Sequence, residues 1–112
     1  MNTTLVETSA VELRRLIGSR QLSPVELLDA CIARIEALNP AINAICATDF
    51  TRAREAARQA EAQVMRGAPL GSLHGLPMGI KDLQDTEGLL TTYGNVRLRG
   101  NVPAADNALV AR

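Results

Sequence analysis

Leu73-His74-Gly75-Leu76-Pro77-Met78-Gly79-Ile80-Lys81-Asp82 places one lysine at the end of a short apolar run, just after a turn punctuated by glycine and proline. Glycines at 75 and 79 permit close backbone approach, Pro77 stiffens the turn, and Met78 and Ile80 give a strand side chains to bury. A Lys-Asp pair at a strand end is, out of context, a surface feature. Here the apolar run predicts a strand from the turn at Gly75 to Ile80 that carries an amine into a core. Desolvation favours the neutral amine, the form that accepts a proton and serves as a general base or Schiff-base nucleophile. The run is not a phosphate-binding loop, because Ile80 separates Gly79 from Lys81 and an anionic Asp82 would repel phosphate. Gly71, Gly75 and Gly79 fall four apart, but Pro77 and Lys81 exclude a membrane-helix packing motif.

Upstream, the chain reads as helical. Ser9-Ala10-Val11-Glu12 is a capping box opening a short helix with Val11, Leu13, Leu16 and Ile17 on its apolar side, and Gly18 suits its stop. Ser23-Pro24-Val25-Glu26 repeats the device with proline at the first helical position. The helix that follows runs to about Leu38 with Val25, Leu28, Ile32 and Ile35 as one core-facing stripe, and Asn39-Pro40 predicts its end. Residues 42–47 are a mostly apolar run of strand length. A third helix spans about 50–66, with Ala53, Ala56, Ala57, Ala60 and Val64 on a face that buries little area per residue. Its opposite face carries Arg52, Glu55, Arg58, Gln59, Gln63 and Arg66.

Downstream of Asp85 the chain is rich in loops, and Asp106 reads as the N-cap of a last helix that has run about two turns by Arg112. This leads to the expectation of a chain cut rather than finished. Its 112 residues suffice for one small domain at most. With Phe50 and Tyr93 as the only aromatics, aliphatic side chains must do most of the packing. The formal charge is zero and no basic patch interleaves with aromatics, so neither nucleic acid nor an anionic membrane is an expected partner. Cys31 and Cys46 lack metal or redox spacing and read as reduced, packed thiols. The stretch Met1–Glu7 shows neither a basic n-region nor an apolar h-region, and a cytoplasmic setting is expected.

The residues beside the lysine have bland and sharp readings. His74, the sole histidine, reads as a packed or hydrogen-bonded turn residue before a catalytic one. Asp82 reads as an acceptor for turn amides before a chemical group, and Thr91 and Thr92 as turn stabilisers before substrate contacts. The four serines are Ser9, Ser19, Ser23 and Ser72. Two are caps, one follows a helix, one lies in a loop, and none sits in a nucleophile elbow.

Leu73 to Asp82 resembles the lysine motif of the amidase signature family. Gly88, Thr91-Thr92-Tyr93-Gly94-Asn95 and Pro103-Ala104-Ala105-Asp106-Asn107-Ala108-Leu109-Val110 are similar to further segments of that family. Asn95 and Asn107 depart from the Ser and Ala most common there. The resemblance implies an α/β fold, a mixed sheet surrounded by helices, incomplete in this chain. Residues 1–112 would be the N-terminal portion of one amidase domain, with 1–66 mainly helical and 67–112 the start of the core. It implies a Ser–cis-Ser–Lys hydrolase of linear amides: the lysine exchanges a proton with a serine that follows a cis peptide, and that serine activates a second, nucleophilic one. Lys81 takes the base position, and both serines would lie outside the chain, which alone is expected to be inactive and marginally stable. No cofactor or metal is implied. The expected partner is a small-molecule amide, and a homo-oligomer is possible. An A-type subunit of a glutamyl-tRNA(Gln) amidotransferase, and a truncated, non-catalytic binding product, are the alternatives.

Overall fold

Two serines start two helices as the sequence predicts. The computed structural model describes residues 3–112, so the reading of Met1 and Asn2 lies outside it. After a short helix that sequence reasoning missed, α1 (Thr3–Glu7), Ser9 caps α2 (Ala10–Gly18), accepting from the Glu12 N–H at 3.3 Å. Only half of the expected box forms, because the Glu12 carboxylate turns forward to Arg15 at 2.6 Å. Ser23 caps α3 (Pro24–Ile42), accepting from the N–H groups of Val25 and Glu26. Such a cap contributes about 1 kcal/mol. Phe50–Met65 forms α4, close to the predicted bounds.

Several expectations need correction. Val11 is 83% exposed and does not join Leu13 and Ile17 in the core. The stop read at Gly18 stands, since α2 ends there, and the left-handed conformation falls on Arg20, at φ 63°. α3 passes through Pro40 and ends at Ile42, where Asn43 adopts the left-handed conformation and donates its N–H to the Asn39 carbonyl at 2.7 Å. A proline so near the end already has a helical φ and removes only one amide donor, so it need not stop the helix. Residues 42–47 do not form a strand, and the described residues contain no strand at all. The mixed sheet expected of an α/β fold is therefore not built by them. A strand requires backbone partners, and apolar composition alone cannot supply these.

The described residues divide into two compact units. The first joins the residues up to Ala44 with Phe50–Pro77 and is helical. Helix α3 packs against both α1 and α4. Leu13, Ile17, Leu22, Leu27 and Val64 form one core cluster, with Leu70 and Leu76 partly buried against it. Leu28, Ile32 and Ala57 form a second, flanked by Val25, Phe50 and Ala53. Cys31 packs beside the first cluster, and burial raises the pKa of its thiol; Cys46 is exposed rather than packed. The second unit joins Ile45–Asp49 with Met78–Arg112. It is made of turns, a 3-10 turn at Val96–Leu98 and α5 (Ala108–Ala111). Among the described residues no helix is long and apolar enough to cross a membrane.

Candidate active site

The lysine motif changes unit at its middle. Leu73–Pro77 belongs to the helical unit. Gly75 has φ +78°, and a Cβ added there would lie 3.0 Å from Pro24 Cγ and 3.3 Å from Ile17 Cδ1 and Cγ2. The position thus requires glycine twice, for its backbone conformation and for the space. His74 Nε2 lies 2.9 Å from the Ala60 carbonyl oxygen, so Nε2 carries the proton and donates. It is the hydrogen-bonded turn histidine that the sequence suggests.

Met78–Asp82 belongs to the loop unit and is not a strand. Met78 is 63% and Ile80 42% exposed, and Lys81 is exposed as well. This corrects the expectation of a buried strand carrying a desolvated amine. No described segment hydrogen-bonds alongside residues 78–80 as a strand neighbour, and without one the apolar side chains have nothing to be buried against. A Cβ at Gly79 would meet nothing within 4 Å, so the close approach read there is not used by the described residues. Lys81 is the one lysine of the chain; the arginines cannot supply a neutral base, and the His74 Nε2 is bonded to the Ala60 carbonyl. Among the described residues its amine makes no ion pair.

What is fixed is the backbone at Lys81. The Gln84 N–H donates to the Lys81 carbonyl at 3.0 Å, closing a turn. One oxygen of Asp82 accepts the Thr92 N–H at 2.7 Å, and the other accepts the Thr92 hydroxyl. Further ties follow in register. The Tyr93 hydroxyl donates to Asp85, the Asn107 amide side chain donates to Gln84, and the Asn107 N–H reaches the Asp85 carbonyl at 3.0 Å. Asp106 accepts the Glu87 N–H at 2.7 Å, and Gly88 donates to the Pro103 carbonyl at 3.0 Å. Thr91, 2% exposed, exchanges hydrogen bonds with Asn101. Thr92–Asn95 closes a turn whose central residues, Tyr93 and Gly94, both have positive φ, the sign pattern of a type I′ turn.

The sequence reads Asp82 as an acceptor for turn amides and Thr92 as a turn stabiliser but does not join them, because nothing local reports a partner ten positions away. It also gave the α5 cap to Asp106, whereas Asn107 holds it, accepting from the Val110 N–H at 2.9 Å. The departures at Asn95 and Asn107 acquire functions as caps: the Asn95 side chain accepts from the Arg97 N–H at 3.0 Å. The four serines all belong to the helical unit, two of them occupied as caps.

The hydrogen bonds from the Thr92 hydroxyl and N–H hold the Asp82 carboxyl below its ordinary range. A depressed folded value stabilises the loop above the ordinary carboxylate range, and that stabilisation is lost as pH falls through the folded value. Protection of the Thr92 amide from hydrogen exchange, corrected for intrinsic rates, is therefore expected to fall under acidic titration. Protection unchanged well below the carboxylate range would contradict the clamp. The hydrogen bond to Asp85, followed by desolvation and the negative charges of Asp85 and Asp82, raises the Tyr93 pKa.

The sequence model of the Amidase family matches residues 26–112. An acylamidase of Rhodococcus erythropolis is 41% identical over 102 residues, covering 91% of this chain and 21% of the relative. The A-type subunit of a glutamyl-tRNA(Gln) amidotransferase from Azoarcus sp. (strain BH72) is 42% identical over 108 residues, covering 96% and 22%. Among solved structures, a bacterial aryl acylamidase of the amidase signature enzymes superposes with a TM-score of 0.81 at 36% identity, covering 88% of this chain and 20% of that one. A chain from a vestigial protein complex, studied for the origins of an s-triazine catabolic enzyme, gives 0.87 at 32% identity, covering 93% and 23%. The chain spans about a fifth of the length of the relatives it matches.

Proposed function

The chain belongs to the amidase signature family, and we propose that Lys81 is the proton acceptor of an amide-hydrolysing enzyme in which these residues form the N-terminal part. The observation that carries this reading is the contrast at Lys81. Its backbone is held by a turn and a carboxylate clamp, while its amine has no ion-pair partner among the described residues. A base needs that combination, a fixed origin and an amine not committed to a carboxylate.

In the proposed cycle the Lys81 amine accepts the proton of a relay serine that follows a cis peptide, and the relay takes the proton of a nucleophilic serine. The nucleophile's oxygen bonds to the amide carbonyl carbon, and backbone N–H groups hold the oxyanion. The C–N bond breaks as a proton passes to the leaving nitrogen, and water then cleaves the acyl ester. Both serines and the oxyanion donors would come from outside the described residues. The mixed sheet and the water exclusion that a neutral amine needs have the same source in this proposal: Met78 and Ile80 would be covered by neighbouring strands. A cytoplasmic setting and a small-molecule amide substrate complete the reading.

The 112-residue chain alone is expected to show no turnover of an aryl amide such as para-nitroacetanilide. Turnover that disappears in Lys81→Ala would overturn the placement of the nucleophile outside the chain. The relatives that are A-type amidotransferase subunits, one of them 42% identical, support a second reading, ammonia release within a multisubunit enzyme. Co-purification of tightly held partner proteins with the full-length protein would favour that reading.

A further inference from the structure

Asp82 adjoins the candidate base, and its carboxylate is turned to Thr92. One oxygen holds the Thr92 N–H at 2.7 Å and the other the Thr92 hydroxyl, which also accepts from the Gly94 N–H at 3.3 Å. We propose that Asp82 and Thr92 are positioning residues for Lys81, acting through this clamp; the proposal rests on the reading of Lys81 as the base. Two consequences follow from the geometry. The clamp ties the lysine segment to the Thr92–Asn95 turn, whose own closing hydrogen bond, from the Asn95 N–H to the Thr92 carbonyl, is 2.9 Å. It also occupies both carboxylate oxygens. A free carboxylate one residue from the amine could pair with it, and an opposite charge favours the protonated, non-basic form. Thr92 therefore anchors the segment and keeps Asp82 from pairing with its neighbour.

Asp82→Asn loses an acceptor, since an amide has one oxygen where the carboxylate has two. Thr92→Val removes the hydroxyl and frees an oxygen of Asp82, while Thr92→Ser keeps the hydroxyl. In the full-length enzyme with para-nitroacetanilide, kcat is expected to fall about 10- to 100-fold in Asp82→Asn and Thr92→Val, the scale at which misplacing a catalytic group slows a reaction. KM is expected to stay within about 3-fold, because the clamp is not assigned to substrate binding. Thr92→Ser is expected to retain near wild-type kcat. A kcat in Thr92→Val equal to that of the wild type, or a loss in Thr92→Ser as large as in Thr92→Val, overturns the proposal. Should Asp82→Asn not fold, the valine–serine pair decides alone. Lys81→Met in the same assay separates the two levels. Activity surviving there refutes the base itself, whereas an inactive Lys81→Met beside a fully active Thr92→Val refutes only the clamp.

Discussion

Lys81→Met in the full-length enzyme is expected to lower kcat/KM for a simple aryl amide by about a thousandfold or more, within the range lost with a catalytic acid or base. Methionine keeps an unbranched apolar stem of similar length, so a loss reports the missing amine rather than a packing defect. Lys81→Arg sharpens the test. A guanidinium keeps the positive charge but is not deprotonated in proteins. If the lysine stabilised charge or held substrate, arginine would preserve much of the activity; as a base it would preserve almost none. An arginine variant within about 10-fold of wild type would remove Lys81 from the base position.

The second large effect is on folding. Gly75→Ala forces a side chain into a left-handed conformation at φ +78° and drives its Cβ to 3.0 Å from Pro24 and 3.3 Å from Ile17. The backbone strain is about 1–2 kcal/mol, and overpacking a filled site adds about 1–3 kcal/mol. Neither neighbour can yield readily: Pro24 is a ring at the start of α3, and Ile17 is 0% exposed. A total near 3 kcal/mol should lower the helical melting temperature of the 112-residue chain by more than about 10 °C, or abolish its melting transition outright if the parent chain is as marginal as expected. Gly79→Ala is the control, since nothing lies within 4 Å of its Cβ, and its effect should stay within about 0.5 kcal/mol. Equal melts for the two variants would show that the Gly75 contact is not a packing constraint.

What could be read from residues alone was local. Ser9 and Ser23 were legible as caps because a cap is specified within three positions. The stripe through Leu28 and Ile32 was legible because helix periodicity places its own side chains. The errors share a different cause. Asp106 and Asn107 are both competent caps, and a Glu87 amide nineteen positions away, bonded to Asp106, leaves the cap to Asn107. Val11 is the exception: it is two residues from Leu13, about 200° around the helix, so it falls off the stripe of Leu13, Leu16 and Ile17 and stays exposed. The strand ending at Ile80 was read from apolar side chains, but its existence depends on partners that the sequence of the segment does not contain. The same applies around the candidate site: the motif singles out Lys81, while the hydrogen bonds between Asp82 and Thr92 are visible only in three dimensions.

The base assignment is tested most directly by labelling the full-length enzyme with a serine-reactive fluorophosphonate, which requires an activated hydroxyl but no amide turnover. Wild type should be labelled rapidly at a serine outside residues 1–112, and Lys81→Met should lose that labelling by about the same factor as it loses kcat/KM. Labelling of Lys81→Met at the wild-type rate would mean that the nucleophile is activated by some other group, and the role assigned to Lys81 would be wrong.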